Sequence, residues 1–179
     1  MVKKSKTNRP QAKILYQFVR KNMTLVSRPR RLPNGHRINL EMLVHPGAVC
    51  IVPVLNPKHI VLMRQYRPVV NSYLYELPAG TLDNQESPLR CAQRELMEET
   101  GYTAKRWSRQ GKIFPLPAYS NEQIIIYKAS SLTLTQSARE ADEVIEVQPT
   151  TLRGVRKLFS AGKIIDAKTI CALTFCRIL

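Results

Sequence analysis

The chain has 179 residues, 44% of them hydrophobic and 23% charged, which suits one compact domain with a real core and argues against a disordered chain. No stretch is apolar for long enough to span a membrane. The apolar run after Lys3, Lys4 and Lys6 breaks too early for a signal-peptide core, so the chain reads as cytoplasmic. The formal net charge is +15, and residues 1–40 carry eleven Lys or Arg and no acid. Such a balance either attracts phosphates, of nucleic acid or of a small molecule, or solvates a basic tail.

In chain order, residues 1–12 read as a flexible basic arm and residues 13–179 as a single domain. Met42–Leu55, rich in Val, Ile and Leu about Pro46-Gly47, reads as strand, turn, strand. Asn56-Pro57 is a turn, His59–Tyr66 a strand, and Tyr73–Leu77 a short strand ending at Pro78. A helix follows, with Ser87 as N-cap, Pro88 at its first position and Gly101 as its stop. Leu89, Ala92, Leu96 and Thr100 recur along it at the spacing of a core face. Gly111–Phe114, Ile124–Ala129 and Val144–Val147 read as strands, and Thr151–Ala161 and Asp166–Leu179 as helices. In the last helix Ile170, Thr174 and Ile178 form one row beside Cys171 and Phe175. The order of elements predicts a mixed α+β domain, a sheet covered by helices on both sides.

Cys50, Cys91, Cys171 and Cys176 form no Cys-x-x-Cys pair and read as free thiols, and His36, His45 and His59 are too scattered for a ligand set. The acids are more telling. Of thirteen, six lie between Glu76 and Glu99 and four more between Glu140 and Glu146. A basic protein that crowds its carboxylates in this way incurs repulsion unless cations bind there. Glu95 and Glu99 stand one helical turn apart on one face, a pairing that becomes favourable around hard divalent ions such as Mg²⁺. Arg94, four residues before Glu98, is placed to pair with it and hold the acidic face.

Gly80, Glu86, Arg94, Glu95, Leu96, Glu98, Glu99 and Gly101 resemble the Nudix box at every spacing, with Tyr102 where the family usually has an aliphatic residue. The resemblance implies the Nudix fold, a mixed β-sheet sandwiched between α-helices. It also implies that Glu95 and Glu99 are metal ligands, with Glu98 contributing directly or through water. Gly80 lets the loop backbone approach metal and phosphate, and the Ala79 carbonyl is expected to face the metal. The flanks, Gln65-Tyr66-Arg67-Pro68, Glu76-Leu77-Pro78-Ala79-Gly80 and Pro117-Ala118-Tyr119-Ser120-Asn121-Glu122, are similar to those of ADP-ribose and nucleoside diphosphate sugar pyrophosphatases. Arg67, Glu76, Gly80, Pro117 and Glu122 are therefore the expected substrate-binding residues. Arginine's planar fork suits phosphate oxygens. Glu76 either holds its loop by hydrogen bonds or accepts from a ribose hydroxyl. In related enzymes a late acidic loop supplies the base and a further ligand. Glu143 falls best at the ligand position, and Glu140 is the preferred base.

The implied activity is Mg²⁺-dependent hydrolysis of a nucleoside diphosphate sugar, with Mn²⁺ as a substitute metal. ADP-ribose, cut to AMP and ribose 5-phosphate, is favoured over GDP-mannose or other sugar nucleotides. The same resemblance implies a homodimer in which strands between Leu25 and Leu43 cross over to the partner. Two alternatives stand beside it. The basic N-terminal third could serve an RNA 5′-end pyrophosphohydrolase, against which the flanks argue. A catalytically inactive nucleotide- or RNA-binding module is opposed by the intact box.

Overall fold

The computed structural model describes residues 12–19, 22–83, 85–135 and 143–179. The expected basic arm, Ala12 apart, lies outside the described residues, as does Glu140. The chain divides into two compact units, 1–45 with 116–122, and 46–115 with 123–179.

The first unit is built on a three-stranded antiparallel sheet of β1 (Lys13–Phe18), β2 (Met23–Arg31) and β3 (Arg37–Val44), with β2 in the middle. Val26 and Met42 sit opposite each other across β2 and β3 and are both buried. Segment 116–122 joins this unit through Leu43, whose N–H donates to the Tyr119 carbonyl at 2.8 Å.

The second unit holds β4 (Ala48–Asn56), β5 (His59–Arg67), β6 (Ser72–Glu76), β7 (Ala79–Thr81), α1 (Pro88–Thr100), β8 (Tyr102–Ile113), β9 (Ile124–Leu134), β10 (Ile145–Thr151), α2 (Leu152–Ser160) and α3 (Ala167–Phe175). Its mixed seven-stranded sheet runs β10-β5-β4-β9-β8, with β6 beside β5 and β7 beside β4. The β4–β9 pair is parallel and the remaining ladders are antiparallel. β4 is apolar on both faces because both are covered. Val49 and Ile51 pack with Cys91, Ala92 and Leu96 of α1. Cys50 and Val52, with Ile60 and Leu62 of β5, pack against Val155 of α2 and Ala172 and Leu173 of α3. Strand alternation thus puts α1 on one side of the sheet and α2 and α3 on the other, the α+β arrangement expected.

Three details depart from the sequence reading. β8 is far longer than Gly111–Phe114, because it pairs with β9 along its whole length. It lies at the end of the sheet order, and its exposed Lys105, Arg106, Ser108 and Arg109 hide the strand pattern. In α1, Leu89 is exposed and Cys91 joins Ala92, Leu96 and Thr100 in the interior. In α3 the buried residues are Thr169, Ala172 and Leu173, and of the expected row Ile170 is half-buried against the core while Thr174 is exposed. Phe175 is exposed too, and Ile178 is buried in the core but lies past the helix end. Thr169 is tolerated inside because its hydroxyl accepts a 3.0 Å hydrogen bond from the Leu77 N–H.

Candidate active site

The site lies within the second unit, in a cavity of about 340 Å³ where the β6–β7 connection meets α1. Pro78 has no N–H to give a ladder, and β6 stops at Glu76 just before it. The chain then resumes as β7, which pairs with the first residues of β4 and sets Gly80 opposite Val49. Gly80 lies directly beneath the Glu95 side chain: a Cβ added there would stand 1.8 Å from Glu95 Oε1. Ser87 Oγ accepts from the Arg90 N–H at 3.3 Å to open α1. Gly101, at φ +75°, closes it with its N–H on the Met97 carbonyl at 2.8 Å.

Glu95 and Glu99 both point from α1 into this cavity. Glu99 is only 2% exposed, and its Oε2 accepts from the Ala79 N–H at 2.9 Å. Burial pushes its carboxyl well above the usual range. The Ala79 hydrogen bond opposes this, while the charges of Glu95 and Glu143 add to it. Glu95 is pushed up to about 7, chiefly by burial; Arg94 works against the shift, and Glu98 and Glu143 with it. Arg94 spans the acidic face. Its Nη1 donates to Glu95 at 2.7 Å and to Glu98 at 2.9 Å, the latter being the pair its spacing predicts. Its Nε and Nη2 hold Glu86 at 3.1 and 3.0 Å, and this pairing outweighs burial to keep Glu86 below the usual carboxylate range.

Arg67 lines the same cavity. It ends β5, and its Nε and Nη2 donate to the two carboxylate oxygens of Glu76 at 2.8 and 2.7 Å. Glu76 is fully buried and also bonded by Lys168 of α3, which in turn pairs with Asp166 at 3.0 Å. Of the two roles open to Glu76, the geometry supports the one that holds its surroundings in place. Burial would raise its carboxyl, but Arg67 and Lys168 together bring it below the usual value.

The late acidic cluster splits. Glu143 lines the cavity, whereas Glu146 pairs with Arg64 at 3.1 Å across the β10–β5 ladder. Pro117 and Glu122 belong to the first unit. There Pro117 lies in a turn, and the Glu122 N–H bonds Ser120 Oγ at 3.0 Å while its carboxylate faces His45 at 3.8 Å. Cavity-lining Thr81 and Asp83, and Lys168 behind the wall, had escaped the sequence reading. Lys168 left one clue. A cation in the first turn of a helix opposes the helix dipole, so its presence there calls for a local partner.

The donor set suits a hard divalent cation. Four carboxylates, Glu95, Glu98, Glu99 and Glu143, border one cavity, and burial raises the carboxyls of Glu95 and Glu99, with the charge of Glu143 adding to both shifts. Among the described residues no three ligating side chains already close around a single point; Arg94 holds Glu95 and Glu98 instead. Residues 44–171 match the NUDIX domain model. The chain belongs to the Nudix family. Its box glycine, box arginine and box glutamates are the residues brought together here. An ADP-ribose pyrophosphatase of Bacillus subtilis (strain 168) is 36% identical over 146 residues, covering 80% of this chain and 79% of that protein. A methanol dehydrogenase activator of Bacillus methanolicus is 33% identical over 146 residues, with the same coverage. A crystal structure described as an ADP compounds hydrolase superposes with a TM-score of 0.79 at 25% identity, covering 94% of this chain and 90% of the other. Among the described residues, no helix of this Nudix chain is long and apolar enough to cross a membrane.

Proposed function

We propose that this Nudix protein hydrolyses the pyrophosphate bond of a nucleoside diphosphate sugar, ADP-ribose first, to give AMP and ribose 5-phosphate. The observation that carries the reading is the gathering of two sets of groups around one cavity: Glu95, Glu99 and Glu143, and a carboxylate-anchored Arg67. Carboxylates that repel one another suit a site completed by cations, and a fixed guanidinium suits a phosphate oxygen. The name of the Bacillus subtilis relative supports ADP-ribose as the first choice.

Glu95, Glu99, Glu143 and the Ala79 carbonyl would hold Mg²⁺, or Mn²⁺ in its place, which when bound neutralises the diphosphate and makes water more acidic. Arg67 binds and orients the diphosphate. A carboxylate of the late acidic segment, Glu140 by preference, takes a proton from the attacking water and aims its oxygen at one phosphorus. The new P–O bond forms as the bond to the bridging oxygen breaks, and the departing phosphate leaves with its charge against Arg67. Glu98, held by Arg94, keeps the acidic face in register. Positioning and charge stabilisation thus supply most of the rate. A homodimer built through strands between residues 25 and 43 belongs to the same proposal and is read by light scattering on the eluting protein.

The test is a panel of ADP-ribose, GDP-mannose, other sugar nucleotides, and capped and triphosphorylated RNA. Each is incubated with and without Mg²⁺, and the products are identified. ADP-ribose is expected to yield AMP and ribose 5-phosphate only with the metal. Glu99→Gln is expected to lower turnover by about three orders of magnitude. Near-native turnover of Glu99→Gln at saturating Mg²⁺ would remove Glu99 from the mechanism.

A further inference from the structure

The arginine that lines the cavity is tied to the C-terminal helix. Arg67 is held by a fully buried carboxylate, and that carboxylate is shared with a lysine from the far end of the chain. The first turn of α3 meets the β6–β7 connection at two successive residues. Lys168 bonds Glu76, and Thr169 Oγ1 accepts from the Leu77 N–H. Asp166 completes the turn in two ways. Its Oδ2 caps the helix at the Thr169 N–H, 3.0 Å away, and its Oδ1 pairs with Lys168 Nζ, also at 3.0 Å. Two residues further along the connection, the Ala79 N–H fixes Glu99.

We propose that Lys168 is a positioning residue for the phosphate-binding arginine, acting through Glu76. The inference rests on the functional reading above, since it takes Arg67 to meet the diphosphate. Glu76 takes Nε and Nη2 of Arg67 in a parallel fork. The fork is only as steady as its carboxylate, and Lys168 supplies that carboxylate's third fixed contact. Nη1 of Arg67 has no partner among the described residues and is the nitrogen left for a phosphate oxygen. Charge balance points the same way. Arg67, Lys168, Glu76 and Asp166 comprise two cations and two anions, so the cluster is neutral. Without Lys168 it would carry one net negative charge behind a wall that must attract a diphosphate. Most of Arg67's field would then be spent on Glu76. A lysine at this position also works against the α3 dipole, a cost its bond to Glu76 offsets.

The experiment is a double-mutant cycle on ADP-ribose hydrolysis at saturating Mg²⁺, with KM and kcat measured separately. Lys168→Met is expected to raise KM about tenfold and to lower kcat by a smaller factor, and Lys168→Arg to restore most of both losses. In an Arg67→Ala background, Lys168→Met is expected to add less than about twofold, because the group it positions is gone. An unchanged KM for Lys168→Met overturns the proposal. So does an equal loss in both backgrounds, which would mark a merely structural lysine. Lys168→Gln takes the place of Lys168→Met if that variant fails to fold. Should the unmodified protein turn over no compound in the panel, the functional reading falls by itself. A crystal structure of the Lys168 variant then decides the present inference: an Arg67 fork displaced from Glu76 by about 1 Å or more supports it, and an unmoved fork overturns it.

Discussion

Replacing Gly80 with alanine isolates the geometry of the site from the stability of the fold. Gly80 is not among the residues with positive φ, so alanine is conformationally allowed there. The obstacle is contact. The three atoms nearest the new Cβ all belong to Glu95, with Oε1 at 1.8 Å, Cδ at 1.9 Å and Cγ at 2.5 Å. Ordinary carbon contacts begin near about 3.5 Å, so the Glu95 carboxylate has to retreat by roughly 1.5–2 Å. It can do so by changing rotamer, giving up its 2.7 Å pairing with Arg94, a loss on the order of 1 kcal/mol. Gly80→Ala is therefore expected to melt within a few degrees of the unmodified protein. Its kcat/KM on a nucleoside diphosphate sugar should fall by about 10²–10³, since displacing a reacting group by about 1 Å alone can cost ~10². That corresponds to about 3–4 kcal/mol in the barrier. Thermal melts and steady-state kinetics at saturating Mg²⁺ read the two effects apart. A folded Gly80→Ala protein with full kcat/KM would refute the assignment of Glu95 to the chemistry. A collapse in melting temperature would show that more than one side chain depends on this glycine.

Other perturbations separate function from stability elsewhere. Glu95 is raised from 4.5 to about 7 in the folded chain, so the native state holds its proton more tightly than the unfolded one. Its contribution to stability is full below the lower value and is lost as pH rises towards the upper. Glu95→Gln should thus abolish activity yet stabilise the metal-free protein at pH 8 by on the order of 1–3 kcal/mol, with no gain near pH 4. Urea titrations in EDTA at the two pH values check this, and an equal gap at both would contradict it. Glu76 behaves in the opposite sense, being held below the usual value by Arg67 and Lys168 against burial. Its stabilisation is present above the unfolded value of 4.5 and fades as pH drops through the lower folded one. Glu76→Gln is accordingly expected to cost roughly 3 kcal/mol at pH 7 and progressively less below pH ~4, by the same titrations. Gly101→Ala places a side chain at φ +75° and should cost about 1–2 kcal/mol in urea while leaving KM unchanged.

The parts of the site that could be read in the sequence are those whose geometry is local. Within α1 the spacing of Arg94, Glu95, Glu98 and Glu99 fixes which groups share a face, and Ser87 and Gly101 fix where that face begins and ends. The Arg67–Glu76 fork was half visible, as two residues flagged separately whose union depends on the β5–β6 ladder. Lys168 could not be matched to Glu76, because 92 residues separate them and only the packing of α3 brings them together. The phase of α3 was misjudged for a related reason. A threonine satisfied by a distant N–H is indistinguishable in sequence from one on a wet surface. The late acids show the same limit. Glu143 and Glu146 look alike in the chain, yet one borders the cavity and the other pairs with Arg64.

The two edges of β4 have different histories. Along one it is served by chain made soon after it: β7 at Ala48–Cys50 and β5 at Val54 and Asn56. Along the other, from Ala48 to Val54, its partner is β9, which begins only at Ile124. During synthesis, Val49, Cys50, Ile51 and Val52 therefore wait with one row of amides unpaired while some seventy further residues are added. Closing so long a loop is slow. A chain cut short before Ile124 carries the whole signature motif and still has a sticky ribbon in place of a finished sheet. For a cell or an expression host, the hazard of this protein lies in its prematurely terminated forms, which keep the recognisable half of the sequence and lack the strand that makes it safe.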